Sequence, residues 1–177
     1  MSTIEPLKPS DLAGADIQIK EEIKRQAEAF LAAQLQSGIA ADQRAMSFVS
    51  LMAAAAVVVA GGGAALLLGT PVRPFLGWVC IGTATSFALA MGAAVETAKP
   101  VDFHYVGGAP KDWKDDLSNR ITYEDALAEF IINLGDRIKF NKKILETNAL
   151  WMWRAVRIAW GGLGIGGALA IGGLLFR

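Results

Sequence analysis

The sequence predicts an all-α integral membrane protein. It should have three transmembrane helices, a hairpin plus a C-terminal span, and two cytoplasmic amphipathic helices. Three observations predict this. The 177-residue chain is 53% hydrophobic, with a mean hydropathy of +0.37. Only 19% of it is charged, against about 25% in an ordinary soluble domain. The formal net charge is zero, yet residues 47–69, 74–95 and 158–176 hold no charge at all. Polar segments alternating with apolar runs are the layout of a multi-span membrane protein. The expected organisation is a cytoplasmic segment 1–46, a transmembrane hairpin 47–95, a cytoplasmic loop and helix 96–157, and a final span 158–177.

Span one, residues 47–69, reads SFVSLMAAAAVVVAGGGAALLLG, and span two, residues 74–95, reads PFLGWVCIGTATSFALAMGAAV. Each is longer than the roughly 20 residues that cross about 30 Å of hydrocarbon. Only TPVR separates them, so they form a hairpin, and Pro74 suits the first turn of the returning helix. The lone Cys80 sits in span two and reads as a buried apolar thiol. The first apolar run follows an acidic, helix-forming segment, so no secretory signal peptide is expected.

Span three, residues 158–176, contains GGLGIGGALAIGG. In water this run would be a linker, because a glycine costs about 1 kcal/mol in an exposed helix. In hydrocarbon the backbone has no other partner and stays helical. Gly162, Gly164 and Gly167 have the G-x-G-x-x-G spacing of a dinucleotide loop. No predicted strand precedes them and no acidic residue follows, so that reading fails.

Lys and Arg set the orientation. The segment before span one carries Lys8, Lys20, Lys24, Arg25 and Arg44, and the segment between spans two and three carries ten. The hairpin turn has only Arg73 and the C-terminus only Arg177. The N-terminus therefore faces the cytoplasm and the C-terminus the outside of a bacterial inner membrane. Trp151, Trp153 and Trp160 fall at the cytoplasmic entry of span three, where indoles prefer the headgroups and Arg154 and Arg157 snorkel to phosphates. WMWRAVR could instead stack nucleic-acid bases, but the apolar run begins at once and no nucleic acid is expected.

Residues 16–40 read as a helix with Ile19, Ile23, Ala27, Phe30, Leu31 and Leu35 on one stripe. Residues 98–118, broken by Pro100, Gly107, Gly108 and Pro110, read as irregular. Asp112, Asp115 and Asp116 suit helix capping better than a metal ion. His104 lacks the companions a zinc site needs. A second helix starts near Thr122, where Thr122-x-x-Asp125 resembles a capping box. Its stripe is Leu127, Phe130, Ile131, Leu134, Ile138 and Leu145. No proline follows, so it can run on into span three, with Gly135 as a weak point.

No catalytic constellation, P-loop or CxxC is present, and the spans hold no ionisable side chain. An enzyme is not expected, nor is any cofactor or metal. The spans hold small residues instead: Gly162-x-x-x-Gly166 with Ala170, a neighbouring stripe of Gly161, Gly164, Ala168 and Gly172, then Gly61-x-x-x-Ala65 and Ala88-x-x-x-Gly92. Such pairs let helices approach closely. One face of span three can pack within the subunit and the other between subunits.

The order of elements, with AKPVDFHYVGGAPKDW and then YEDALAEFIINLGDRIKFNKKILETNALWMWRAVRIAW before the last span, resembles small bacterial membrane proteins of the SLATT and Pycsar-effector type. The residues carrying the likeness are Asn133, Lys139, Asn141, Lys142 and Lys143. The resemblance implies a membrane-disrupting or pore-forming effector of a nucleotide-signalled antiviral system. The chain departs from it in having no nucleotide-binding domain and no fourth span, so a sensor would be another protein. The expected partners are the bilayer, further copies of the chain and a cytoplasmic protein. The competing expectation is a non-conducting anchor or adaptor subunit.

Overall fold

Two long helices carry most of the chain. In the computed structural model, which describes residues 7–175, α1 is Pro9–Leu12, α2 Ile17–Leu68, α3 Pro74–Val95, α4 Lys114–Ser118 and α5 Tyr123–Leu175. Short 3₁₀ turns occupy Glu96–Ala98 and Pro110–Trp113, and no strand occurs among the described residues. Phe176 and Arg177, expected to close span three, lie outside them.

Both long helices start on side-chain caps. Asp16 Oδ1 accepts the Gln18 N–H at 2.7 Å. Thr122 Oγ1 accepts the Asp125 N–H at 3.2 Å and donates to Asp125 Oδ2 at 2.6 Å. Each cap satisfies an N–H that the first turn leaves without a partner. Early in α2, Glu22 meets Arg25 at 2.6 Å and Gln26 at 2.8 Å. Those donors, Arg25 first, hold its carboxyl down at about 2 from the ordinary 4.5. This contribution is present at neutral pH and fades as pH falls from 4.5 through about 2.

α2 does not stop near residue 40, where the first amphipathic helix was expected to end; it is continuous through residues 41–46, ADQRAM. That stretch has neither glycine nor proline to break it. α5 likewise passes Gly135 and runs without interruption to Leu175. The glycine run from Gly161 to Gly173 is helical throughout, so it is not a nucleotide loop. Within the segment expected to be irregular, Lys114–Ser118 forms a short helix. Arg120, with φ of 54°, takes the left-handed turn that ends it, and the Ile121 N–H bonds the Asp116 carbonyl at 3.0 Å.

The chain forms two compact units. Unit 1 takes its described residues from Met1–Ile39 and Val101–Leu145, and unit 2 from Ala40–Pro100 and Glu146–Arg177. In unit 1, buried Leu12, Leu127 and Ile131 pack with Ile23, Ala128 and Ile132, while Leu31 and Leu134 are fully buried. In unit 2 the core is small-sided. Phe87, Ala90 and Ala159 pack with Phe48, Met52, Ala55, Ala56 and Val59, and beside them Ala93, Ala94 and Ala155 pack with Val49 and Trp151.

Three helices are long and apolar enough to cross a membrane. Their most apolar windows have mean hydropathies of 2.3, 1.6 and 1.7. Only 6%, 28% and 11% of those windows are buried within the protein. Most of each apolar window is thus left uncovered by the rest of the described chain.

Close approach in the hairpin depends on two glycines. A Cβ at Gly63 would lie 2.9 Å from Cys80 Cβ and 3.0 Å from the Gly77 carbonyl oxygen, whereas one at Gly61 would meet nothing within 4 Å. At Gly77 a Cβ would run into the Leu67 side chain. Gly63→Leu should therefore destabilise the protein by about 1–3 kcal/mol. Gly61→Leu should stay within about 0.5 kcal/mol. Thermal unfolding in detergent, followed by near-ultraviolet circular dichroism, checks both; equal losses would place the contact elsewhere.

Candidate functional site

In unit 2, α3 and α5 run antiparallel along a ladder of paired positions. From one end to the other these are Phe75 with Gly173, Thr83 with Gly166, Ser86 with Gly162, Ala90 with Ala159, and Ala94 with Ala155. Past the end of α3, Thr97 Oγ1 donates to the Asn148 carbonyl at 3.4 Å. A Cβ at Gly162 would collide with the Ser86 hydroxyl, and one at Gly166 with the Thr83 hydroxyl. Glycine at these positions leaves room for a hydroxyl on the facing helix. Those hydroxyls stay satisfied by donating back into their own helix, Thr83 to the Val79 carbonyl at 2.9 Å and Ser86 to the Thr83 carbonyl at 2.7 Å.

The small residues singled out from the sequence divide into two sets. Gly162 and Gly166 lie against α3, with Ala170 half-buried two turns on. Gly161, Gly164 and Ala168 are exposed, and a Cβ at either glycine would meet nothing within 4 Å. Gly61, Ala65, Ala88 and Gly92 are exposed too. The hairpin instead buries Gly63, Gly77, Ala84, Ala90 and Ala94, which the small-x-x-x-small search passed over. A phase signal was available. Met52, Val59 and Gly63 recur at seven and four residues, and Phe87, Ala90 and Ala94 at three and four, whereas Gly61 and Ala88 fall off those stripes.

The tryptophans and arginines expected at the membrane interface are not equivalent. Trp151 is half-buried on the Ala93, Ala94 and Ala155 cluster. Trp153 and Trp160 are exposed. Arg154 lies over the Trp151 ring at 4.6 Å from its centroid, and Arg157 over Trp153 at 5.2 Å. A guanidinium on an indole face gains from the ring quadrupole.

Unit 1 is organised by polar side chains that tie the 101–113 segment to α5. Asn141 is fully buried. Its Oδ1 accepts the His104 N–H and its Nδ2 donates to the His104 carbonyl, both at 3.0 Å. One amide thus satisfies both backbone groups of one residue. The His104 ring meets Phe140 edge-on at 4.8 Å between centroids. Arg137 donates to the Gly107 carbonyl at 2.6 Å and to Asn133 Oδ1 at 2.7 Å. Asp112 caps its own turn through the Ala109 N–H at 2.9 Å. Lys139 meets Asp136 at 3.4 Å, and Lys142 and Lys143 are exposed. Of the residues singled out on this helix, Asn133 and Asn141 are thus brought onto one loop-holding face.

Two further polar groups are buried in unit 1. Lys20, whose side chain is 3% exposed, pairs with Glu124 at 2.6 Å. Gln34 donates to the Ile138 carbonyl at 3.1 Å, while its Oε1 is buried without a partner among the described residues. Tyr123 donates to Glu21 at 3.2 Å across the same helix pair.

Removing the Asn141 amide strands two backbone groups, each worth about 1–3 kcal/mol when left unpaired. Asn141→Ala should abolish hydrogen-exchange protection at the His104 amide and lower the stability of unit 1 by about that amount. Unchanged protection would show that the clamp does not hold the loop. Comparison with protein-family models, with curated proteins and with solved structures gives no match.

Proposed function

We propose that this chain is a multi-pass protein of a bacterial inner membrane that self-associates through α5 and perturbs or opens the bilayer when its cytoplasmic helices receive a signal. The observation that carries the reading is the two-sided glycine surface of α5. One side, Gly162 and Gly166, is filled by α3; the other, Gly161 and Gly164, is open. In lipid, helix association relies on such close approach, because hydrocarbon gives no hydrophobic drive between helices. The largely unburied apolar windows support insertion. The asymmetry of Lys and Arg supports a cytoplasmic N-terminus and an external C-terminus. The likeness to SLATT and Pycsar-effector proteins supports a role in antiviral defence, with sensing by a separate protein.

A specific observation also favours the anchor or adaptor reading. Unit 1 exposes Leu117 at 78%, Tyr105 at 66% and Tyr123 at 58%, apolar surface suited to a protein partner. Crosslinking in native membranes separates the two. A ring of identical subunits fits the effector, and one copy beside a different protein fits the adaptor.

Induced expression in the native host should collapse the membrane potential read by a voltage-sensitive dye. The Gly161→Leu, Gly164→Leu double variant should restore the potential and shift the protein to smaller species on native gels, with thermal stability unchanged. A normal potential at high wild-type expression, with the triggering partner present, would contradict the effector reading.

A further inference from the structure

One wall of α5 in unit 2 carries a guanidinium at one end and an apolar groove at the other. Trp151 is seated on Ala93, Ala94 and Ala155, and Arg154 is stacked on its ring. Stacking uses the face of the guanidinium and leaves its in-plane N–H donors for an oxyanion. Arg154 makes no ion pair among the described residues. Arg154, Ile158, Gly162 and Ile165 follow at intervals of four, four and three, so they share one helix face.

The groove begins at Gly162, roughly 12 Å along the axis from Arg154. Trp78, Gly82, Thr83 and Ser86 of α3 and Gly162 and Leu169 of α5 wall a volume of about 470 Å³. It is open at Gly82, where a Cβ would meet nothing within 4 Å, and is floored where the Ser86 and Thr83 hydroxyls fill the space beside Gly162 and Gly166. Both hydroxyls in it have spent their donors on their own helix. The groove therefore suits hydrocarbon and offers no donor to a polar ligand.

We infer that Arg154 and this groove together hold one anionic phospholipid, with the phosphate on the stacked guanidinium and an acyl chain along the groove. Charge complementarity selects the headgroup, and the spent hydroxyls select the tail. The charge-free spanning runs of a second copy, residues 47–69, 74–95 and 158–176, hold no carboxylate to bring to Arg154 from the groove, whereas a phospholipid meets both ends. The inference rests on the membrane reading of unit 2.

The test is native mass spectrometry of the full chain in mild detergent, titrated separately with dioleoyl phosphatidylglycerol, dihexanoyl phosphatidylglycerol, dioleoylglycerol and glycerol phosphate. The dioleoyl phospholipid should be retained. Dioleoylglycerol and the short-chain lipid should each bind about tenfold more weakly, and glycerol phosphate should not displace the bound lipid. Arg154→Gln should weaken retention about tenfold. Gly82→Leu should do the same by filling the groove, since a Cβ there meets nothing within 4 Å.

Retention that ignores the phosphate or the chain length overturns the inference. So does retention unchanged in both variants. Displacement by glycerol phosphate would reduce the site to a free-phosphate site, and Gly82→Leu splitting the oligomer with lipid still bound would make the groove a contact between copies; either overturns it. Liposome flotation of the same protein separates the two levels. Protein that floats yet retains no lipid contradicts the lipid site alone; protein that does not float contradicts the membrane reading as well.

Discussion

The structure depends on one constraint: the buried edge of each long helix recurs every seven residues. On α5, Leu127, Leu134, Asn141, Asn148 and Ala155 are buried in turn, and Gly162 follows in the same phase against Ser86. On α2, Lys20, Gln34, Leu31 and Ala45 are buried, and Phe48, Met52, Ala55 and Val59 continue along the half-buried side. A seven-residue recurrence keeps one edge of a long helix on its neighbour. What changes along the edge is side-chain size. Within unit 1 it is leucine, isoleucine and amides. Within unit 2 it falls to alanine and glycine.

That change in size follows from what holds each unit together. Unit 1 buries large apolar side chains, and its polar groups fix which partner faces which. The Lys20–Glu124 pair, the Gln34 amide and the Asn141 clamp are all costly to bury unless matched. The one orphan, Gln34 Oε1, marks the place where matching is incomplete among the described residues. Unit 2 gains its packing from backbone proximity. Glycine opposite Thr83 and Ser86 lets α3 and α5 approach until hydroxyls fill the space a methyl group would occupy. On the opposite face of α5, a Cβ at Gly161 or Gly164 would meet nothing within 4 Å among the described residues. Composition alone therefore cannot assign a glycine to one role; phase relative to the buried edge can.

The sequence made the helices legible and their joins obscure. Three charge-free runs predict three long apolar helices, because an uninterrupted apolar stretch leaves the backbone only helical options. Thr122 and Asp125 predict the start of α5, and that cap forms. The helix end expected near residue 40 does not form, because ADQRAM at residues 41–46 holds no glycine or proline to stop the helix. The packed face of the hairpin was harder to read. In GGG at residues 61–63 every glycine looks alike in sequence, and only contact with Cys80 and Gly77 distinguishes Gly63. The clamp on His104 was illegible because Asn141 is separated by 37 residues from the backbone it serves. A buried amide on a helix carries no local signature of its partner.

The antiparallel packing of α3 on α5 is the claim on which the assignment of inner and outer glycine faces rests. Cysteine crosslinking in native membranes tests it most directly. In a Cys80→Ser background, the pair Ala90→Cys, Ala159→Cys should close within a single chain, since both side chains share one buried cluster. The pair Ala88→Cys, Ala159→Cys should not, because Ala88 is exposed on another face of α3. Efficient closure of the Ala88 pair, or an Ala90 pair that links only separate chains, would contradict the account.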